Sequence, residues 1–253
     1  MGGASTEADL QREIDDLTRQ VRERDEFLSV VSHELRNPIS PLYMQVAVIS
    51  ERAAATSAPI DSAWLIKELK RLTGRFDYFL SCLDRLLDVT RIGERQIDLR
   101  PAPCDLVDIV RSTLGTFPEI QRFQIPVKLD GIASVPGHWD RLRLEQIVEN
   151  LLSNAIRYGL GRPITVTVDI DEHSCARLVV RDEGVGIAPE HRATIFERFR
   201  RVGDVRRTAG FGVGLWIVAE LCRAMHGSVT VASEVERGTA FTVRLPRQTP
   251  TQA

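Results

Sequence analysis

The chain has 253 residues, 43% of them apolar and 27% charged, with a formal net charge of −2. That length allows two domains, and the composition is that of a soluble globular protein. The charge balance gives no reason to expect nucleic acid or an anionic membrane surface as the main partner. No run approaches the roughly 18 apolar residues of a membrane span, and the first ten residues lack the apolar stretch of a secretory leader. Cys82, Cys104, Cys175 and Cys222 lie far apart without metal-ligand spacing. They argue against a disulfide framework or a zinc site and for a reduced, cytoplasmic setting.

Residues 1–9 are small and polar and are expected to be disordered. Leu10, Ile14, Leu17, Val21, Arg24, Leu28, Val31 and Leu35 then recur at alternating spacings of four and three, the mark of a heptad seam in a helix. His33 stands two residues from both Val31 and Leu35, so it points away from the seam, with Glu34 beside it and Asn37 one turn on. By itself this is a surface histidine on a coiled coil. Pro38 and Pro41 interrupt the heptad and predict a kink just past His33. Helical pattern resumes through Tyr43, Met44, Val46 and Ile49 and fades over 53–60, where Asp61 and Ser62 are candidate caps for a second helix. Its seam is Leu65, Leu69, Leu72, Phe76, Phe79, Leu83 and Leu86. Two such helices form an antiparallel hairpin, and two hairpins cover each other's stripes as a four-helix bundle, so residues 10–95 are expected to form a homodimer.

From residue 97 short β-like runs alternate with helical ones. Strands are predicted at 97–100, 125–129, 164–170 and 176–181, helices at 105–116, 139–158 and 214–225, and a closing hairpin from 228–233 and 239–245. The pattern predicts an α+β sandwich over 97–246, a mixed sheet with helices on one face, followed by a disordered tail at 247–253.

On the helix 139–158, Asn150, Asn154 and Arg157 or Tyr158 share one face. Neutral amides at that spacing suit a hydrated Mg²⁺ carrying phosphates, although a polar outer stripe on a core helix has the same pattern. Asp182 closes a predicted strand and is followed by Gly184, Gly186 and Ile187. A carboxylate there can accept from an exocyclic amine, while the glycines let a flat ring approach the backbone. Gly210, Gly212, Gly214 and Leu215 open a helix and leave free N–H groups for an anion. This is neither a Rossmann fingerprint nor a Walker loop. Between the clusters runs an arginine-rich connection that includes Phe199 and Arg201, suited to a phosphate-bearing ligand or to a solvated loop.

Taken together and in order, these segments closely resemble the catalytic core of two-component sensor histidine kinases. His33 with Glu34 and Asn37-Pro38 is similar to the family's phosphoacceptor box, and Asn150–Ala155 to its N box. Asp182–Gly186 and Gly210–Leu215 match the two glycine boxes, Phe196–Arg201 the F box, and Gly238-Thr239 an adenine-side position. The resemblance implies a dimerisation and phosphotransfer bundle followed by a Bergerat-type ATP-binding domain. It implies His33 as nucleophile, Glu34 as its orienting base and Asn37 as the residue that positions water for dephosphorylating the partner. Asn154 would hold Mg²⁺, Asp182 would read adenine and Arg201 would neutralise the transferring phosphate. The partner implied is the receiver domain of a response regulator. Arg157 stands where the family usually has Lys. About 20 residues precede the bundle, so the sequence is read either as an excised core or as a kinase whose input comes from a separate sensor partner. Two other readings are carried: a clamp-type ATPase of the same fold, which needs a carboxylate where Asn150 stands, and a non-catalytic phosphotransfer adaptor.

Overall fold

The computed structural model describes residues 3–55, 61–93, 97–200 and 212–248. The side chains of His33, Glu34 and Asn37 lie outside that description, as do Arg201 and Gly210. The chain divides into two compact units, Met1–Leu86 and Leu87–Ala253.

The first unit is built from α1 (Gly3–Ala55) and α2 (Ser62–Gly93) as far as Leu86. Asp61 supplies the cap of α2, its carboxylate accepting from the Ala63 N–H at 3.0 Å. The helices run antiparallel. Arg52 lies 4.4 Å over the Trp64 ring, Gln45 Nε2 donates to Glu68 Oε2 at 2.8 Å, and Arg75 donates to the Pro41 carbonyl at 2.6 Å. Each step back along α1 therefore meets a step forward along α2. α1 runs from Gly3 to Ala55 with Pro38 and Pro41 inside it. Each proline removes a single backbone donor, and the turns on either side keep theirs.

The second unit holds β1 (Ala102–Asp105), α3 (Leu106–Thr116), α4 (Pro118–Phe123), β2 (Val127–Gly131), β3 (Pro136–Trp139) and α5 (Arg141–Tyr158). There follow β4 (Ile164–Ile170), β5 (Ala176–Asp182), α6 (Pro189–Arg192), α7 (Gly214–Ala224), β6 (Ser228–Glu234) and β7 (Gly238–Leu245). The main sheet has the order β2-β4-β5-β7-β6, with β2 parallel to β4 and every other pair antiparallel. This is the expected mixed sheet. Alternation places Ile164, Val166, Val168, Leu178, Val180, Phe241 and Val243 in the core. Against them pack Ile109 and Val110 of α3, Ile147, Leu151 and Leu152 of α5, and Ile217, Val218 and Leu221 of α7. Burial pushes the Cys222 thiol up to about 12, and Cys104, Cys175 and Cys222 are all free.

Three features of this unit differ from the sequence expectation. Residues 97–100 form no strand; the strand is β1, which pairs antiparallel with β3 as a separate two-stranded sheet. Trp139 ends β3 rather than opening a helix. Asp140 then caps α5, accepting from Arg143 N–H at 3.2 Å and, on its other oxygen, from Arg100 N–H at 2.9 Å. The start of the tail is held. The Trp139 indole donates to the Pro246 carbonyl at 2.7 Å, His138 N–H to the Arg247 carbonyl at 3.0 Å, and Arg247 Nε to the Pro136 carbonyl at 2.9 Å. The edge of β3 supplies partners that no local pattern reveals. Among the described residues no helix is long and apolar enough to cross a membrane.

Leu151 is wholly buried at the centre of the helix layer. Leu151→Ala should destabilise the second unit by about 3 kcal/mol, the cost of lost burial plus a cavity, read as the unfolding free energy in urea.

Candidate functional site

The helix periodicity that buries Leu144, Ile147, Val148, Leu151, Leu152 and Ala155 leaves Asn150, Asn154 and Tyr158 half-buried at the border of the packed face. Asn150 Nδ2 donates to the Gln146 carbonyl at 2.8 Å, which turns its oxygen towards the first residue of α7. A Cβ on Gly214 would press on that oxygen at 2.8 Å, so glycine lets the start of α7 approach α5. Asn154 Nδ2 is buried and has no hydrogen-bond partner among the described atoms. An orphaned buried amide calls for a partner. Phosphate oxygens satisfy it as drawn, and the flipped amide presents its oxygen to a hydrated cation.

At the end of β5, Asp182 is 4% exposed. Its carboxylate accepts from Gly184 N–H at 2.9 Å, and Asp182 pairs with Thr239 of β7. Burial pushes the carboxyl above the usual carboxylate range, opposed by backbone N–H donors of Gly184 and Thr239. The surrounding backbone is packed without room for side chains. A Cβ at Gly184 would overlap the Tyr158 carbonyl, and one at Gly238 the Asp182 carbonyl. At Gly186 it would overlap the Glu234 carbonyl, and Gly186 and Gly238 have φ of +70° and +91°. Val185 N–H donates to the Tyr158 carbonyl at 3.2 Å and Glu236 N–H to the Val185 carbonyl at 2.8 Å. The turn after β5 is thereby sewn to the end of α5 on one side and to the β6–β7 hairpin on the other.

Most of the predicted residues of the second unit meet here. Asn150 and Gly214 are in contact, as are Tyr158 and Gly184, while Asp182 and Thr239 are register partners. Ile187 is reached through Ser233, whose hydroxyl accepts from Ile187 N–H at 2.8 Å, donates to the Gly238 carbonyl at 2.8 Å and lies 2.9 Å from Thr239 Oγ1. Sequence reasoning misses Ser233. A serine late in a strand has no distinguishing pattern, and its role depends on the register that sets it opposite Thr239. Gly212 has φ of +64°, and Leu215 lies half-buried in the first turn of α7. Phe199 has φ of +63° and holds Arg198 4.9 Å from its ring. Arg157 is set apart: it lines a cavity of about 560 Å³ with Phe117, Glu119, Ile125, Ser153, Ile156 and Gly161. Among the described residues no cluster of His, Cys, Asp and Glu is arranged to hold a metal. A cation at Asn154 would depend on ligands brought by a bound phosphate compound.

The sandwich therefore presents a buried carboxylate in a glycine-lined cradle, with paired amides and a glycine-opened helix beside it. Residues 139–249 match the family described as histidine kinase-, DNA gyrase B-, and HSP90-like ATPases. The chain is 32% identical over 242 residues to the sensor histidine kinase MtrB of Mycolicibacterium paratuberculosis, covering 91% of this chain and 42% of that protein. It superposes on full-length ShkA in complex with AMPPNP with a TM-score of 0.63 and 28% identity, covering 75% of this chain and 40% of that one. It superposes on the histidine kinase ThkA in complex with the response regulator protein TrrA with a TM-score of 0.67 and 22% identity, covering 96% of this chain and 68% of that one. Together these matches support a two-component histidine kinase catalytic core. It spans less than half the length of the curated relatives it matches.

The raised pKa of Asp182 has a signed consequence for the nucleotide-free protein. Well below the ordinary carboxylate range the group is neutral, folded or unfolded, and costs nothing. As pH rises through that range towards the raised folded value, the unfolded chain ionises first and the folded state loses relative stability. Asp182→Asn keeps the acceptor for Gly184 and removes the titration. The melting temperature of the variant minus that of wild type should increase between about pH 3.5 and pH 7; a difference flat with pH would contradict it.

Proposed function

We propose that this chain is an ATP-dependent protein histidine kinase that phosphorylates its own His33 and passes the phosphoryl group to an aspartate of a response regulator. The observation that carries the reading is the grouping around one end of α5. Asp182 lies in its glycine cradle, Asn154 has an orphaned buried amide, and Asn150 lies against the glycine that starts α7. A buried carboxylate acceptor suits the exocyclic amine of adenine. The amides and the N–H groups at the start of α7 suit phosphates. Mg²⁺ bound with the nucleotide would neutralise charge on the transferring phosphate, and Asn154 is the residue that would hold it.

At neutral pH an unperturbed imidazole is mostly neutral. Glu34, accepting one ring N–H, would orient His33 so that the lone pair of its other nitrogen attacks the γ-phosphorus. A nitrogen–phosphorus bond forms, the bond to the ADP oxygen breaks, and the ring positive charge is balanced by the Glu34 carboxylate. Arg201 would steady the charge on the phosphoryl oxygens, and Arg157, Gly210, Gly212, Leu215 and Phe199 would line the nucleotide. The ATP-analogue complex of ShkA and the regulator complex of ThkA support nucleotide and partner respectively. A homodimer is part of the proposal. Leu10, Ile14, Leu17, Val21 and Leu28 are between 48% and 54% exposed in the single chain, a seam that a second copy would cover. Asn37 would position water for dephosphorylating the regulator. A cytoplasmic location is part of the proposal, in keeping with widely spaced cysteines and an ATP substrate.

Incubation with γ-labelled ATP and Mg²⁺ should give an acid-labile, alkali-stable label that is lost in His33→Gln. In the same assay His33→Ala should release little free phosphate, because no carboxylate stands at position 150 to activate water; brisk turnover in that variant would replace the kinase reading with a clamp-type ATPase. With a phosphorylated cognate regulator, Asn37→Ala should slow dephosphorylation by about tenfold or more, and an unchanged decay would remove the phosphatase from the proposal.

A further inference from the structure

We propose that Arg198 and Trp216 form a clasp that positions the first turn of α7 for nucleotide binding. The Arg198 guanidinium lies 4.9 Å from the Phe199 ring centroid and 5.2 Å from that of Trp216, between two aromatic faces. Both distances are within the range of cation–π attraction. The contact links the segment that carries Arg198 directly to the first turn of α7.

Three observations give the clasp work beyond filling space. Phe199 has φ of +63°, a conformation that a bulky side chain adopts only where its surroundings impose it. The segment before it is anchored independently: Ile195 is buried, and Phe196 meets Phe241 of β7 edge-on at 6.3 Å. Arg198 is thus held at a fixed distance from the sheet. Trp216 sits two residues after Gly214, the glycine against which the Asn150 oxygen rests. A force that holds Trp216 therefore holds the N–H groups of the first turn of α7 in register with the amide face of α5. In this proposal Arg198 acts through α7, by its contact with Trp216, and is a positioning residue.

The inference rests on the reading of this site as a nucleotide site. It is tested on the full chain by calorimetric titration with AMPPNP and Mg²⁺. Arg198→Met and Trp216→Leu should each weaken binding about tenfold. The double variant should be no weaker than either single one, since each removes the same contact. Arg198→Lys and Trp216→Phe, which keep a cation and a ring, should stay within about threefold of wild type. In the labelling assay the loss should appear as a raised KM for ATP with kcat little changed. Single variants with unaltered affinity, losses that multiply in the double variant, or conservative variants as weak as the severe ones would each overturn the clasp. A wild-type chain that binds no AMPPNP would overturn both the clasp and the kinase reading. Normal binding without label on His33 would overturn the kinase reading alone and leave the clasp standing.

Discussion

A carboxylate buried to 4% exposure is unfavourable unless the backbone around it is built to receive it, and the second unit is organised around that constraint at Asp182. The strand that carries Asp182 is central in the sheet, flanked by β4 and β7. The carboxylate turns back to the N–H of Gly184, and Gly238 lies directly over the Asp182 carbonyl. No side chain larger than hydrogen fits at Gly184, Gly186 or Gly238. These glycines let three separate parts of the chain close on one side chain: the end of α5, the turn after β5 and the β6–β7 hairpin.

The rest of the site follows from that closure. Because Val185 bonds to the Tyr158 carbonyl, the C-terminal end of α5 is fixed beside Asp182, and the helix then projects Asn154 and Asn150 at successive turns. Because Gly214 has no side chain, α7 starts against Asn150 rather than above it. Ser233 ties the two ends together by bonding the Ile187 N–H while keeping its contacts with Gly238 and Thr239. The proposed chemistry asks little more of this unit than placement, as phosphoryl transfer depends chiefly on positioning and charge stabilisation. Its nucleophile, His33, belongs to the other unit, and there the helical hairpin presents a long apolar seam.

Much of this architecture is legible in the amino-acid sequence alone. Alternation of β-branched residues locates 164–170 and, one residue short of its end, β5, and the 3.6-residue period locates α5 to within two residues of its start. Trp139 misleads because an indole before a helical pattern extends its apolar period, while its actual partner, the Pro246 carbonyl, is 107 residues away. The strands β1 and β3 are hidden for the same reason. They are four residues each, contain proline, and have meaning only as a pair. Of the site, residues that belong to contiguous motifs can be named, because glycine beside a carboxylate and amides at helical spacing are local patterns. Ser233 and Trp216 cannot, nor can the contact that Arg198 makes, since a strand register or a cation–π contact between distant residues depends on tertiary geometry.

The central claim is that Asp182 reads the base of a bound nucleotide, and comparing ATP with GTP tests it most directly. Adenine offers an exocyclic amine where guanine offers a carbonyl, so a buried carboxylate should favour the first and repel the second. A hydrogen bond to a charged group contributes about 1.5–3 kcal/mol. Equilibrium titration should therefore show ATP binding at least about tenfold more tightly than GTP, with the preference abolished in Asp182→Asn. Equal affinity for the two nucleotides in the wild-type chain would contradict that claim.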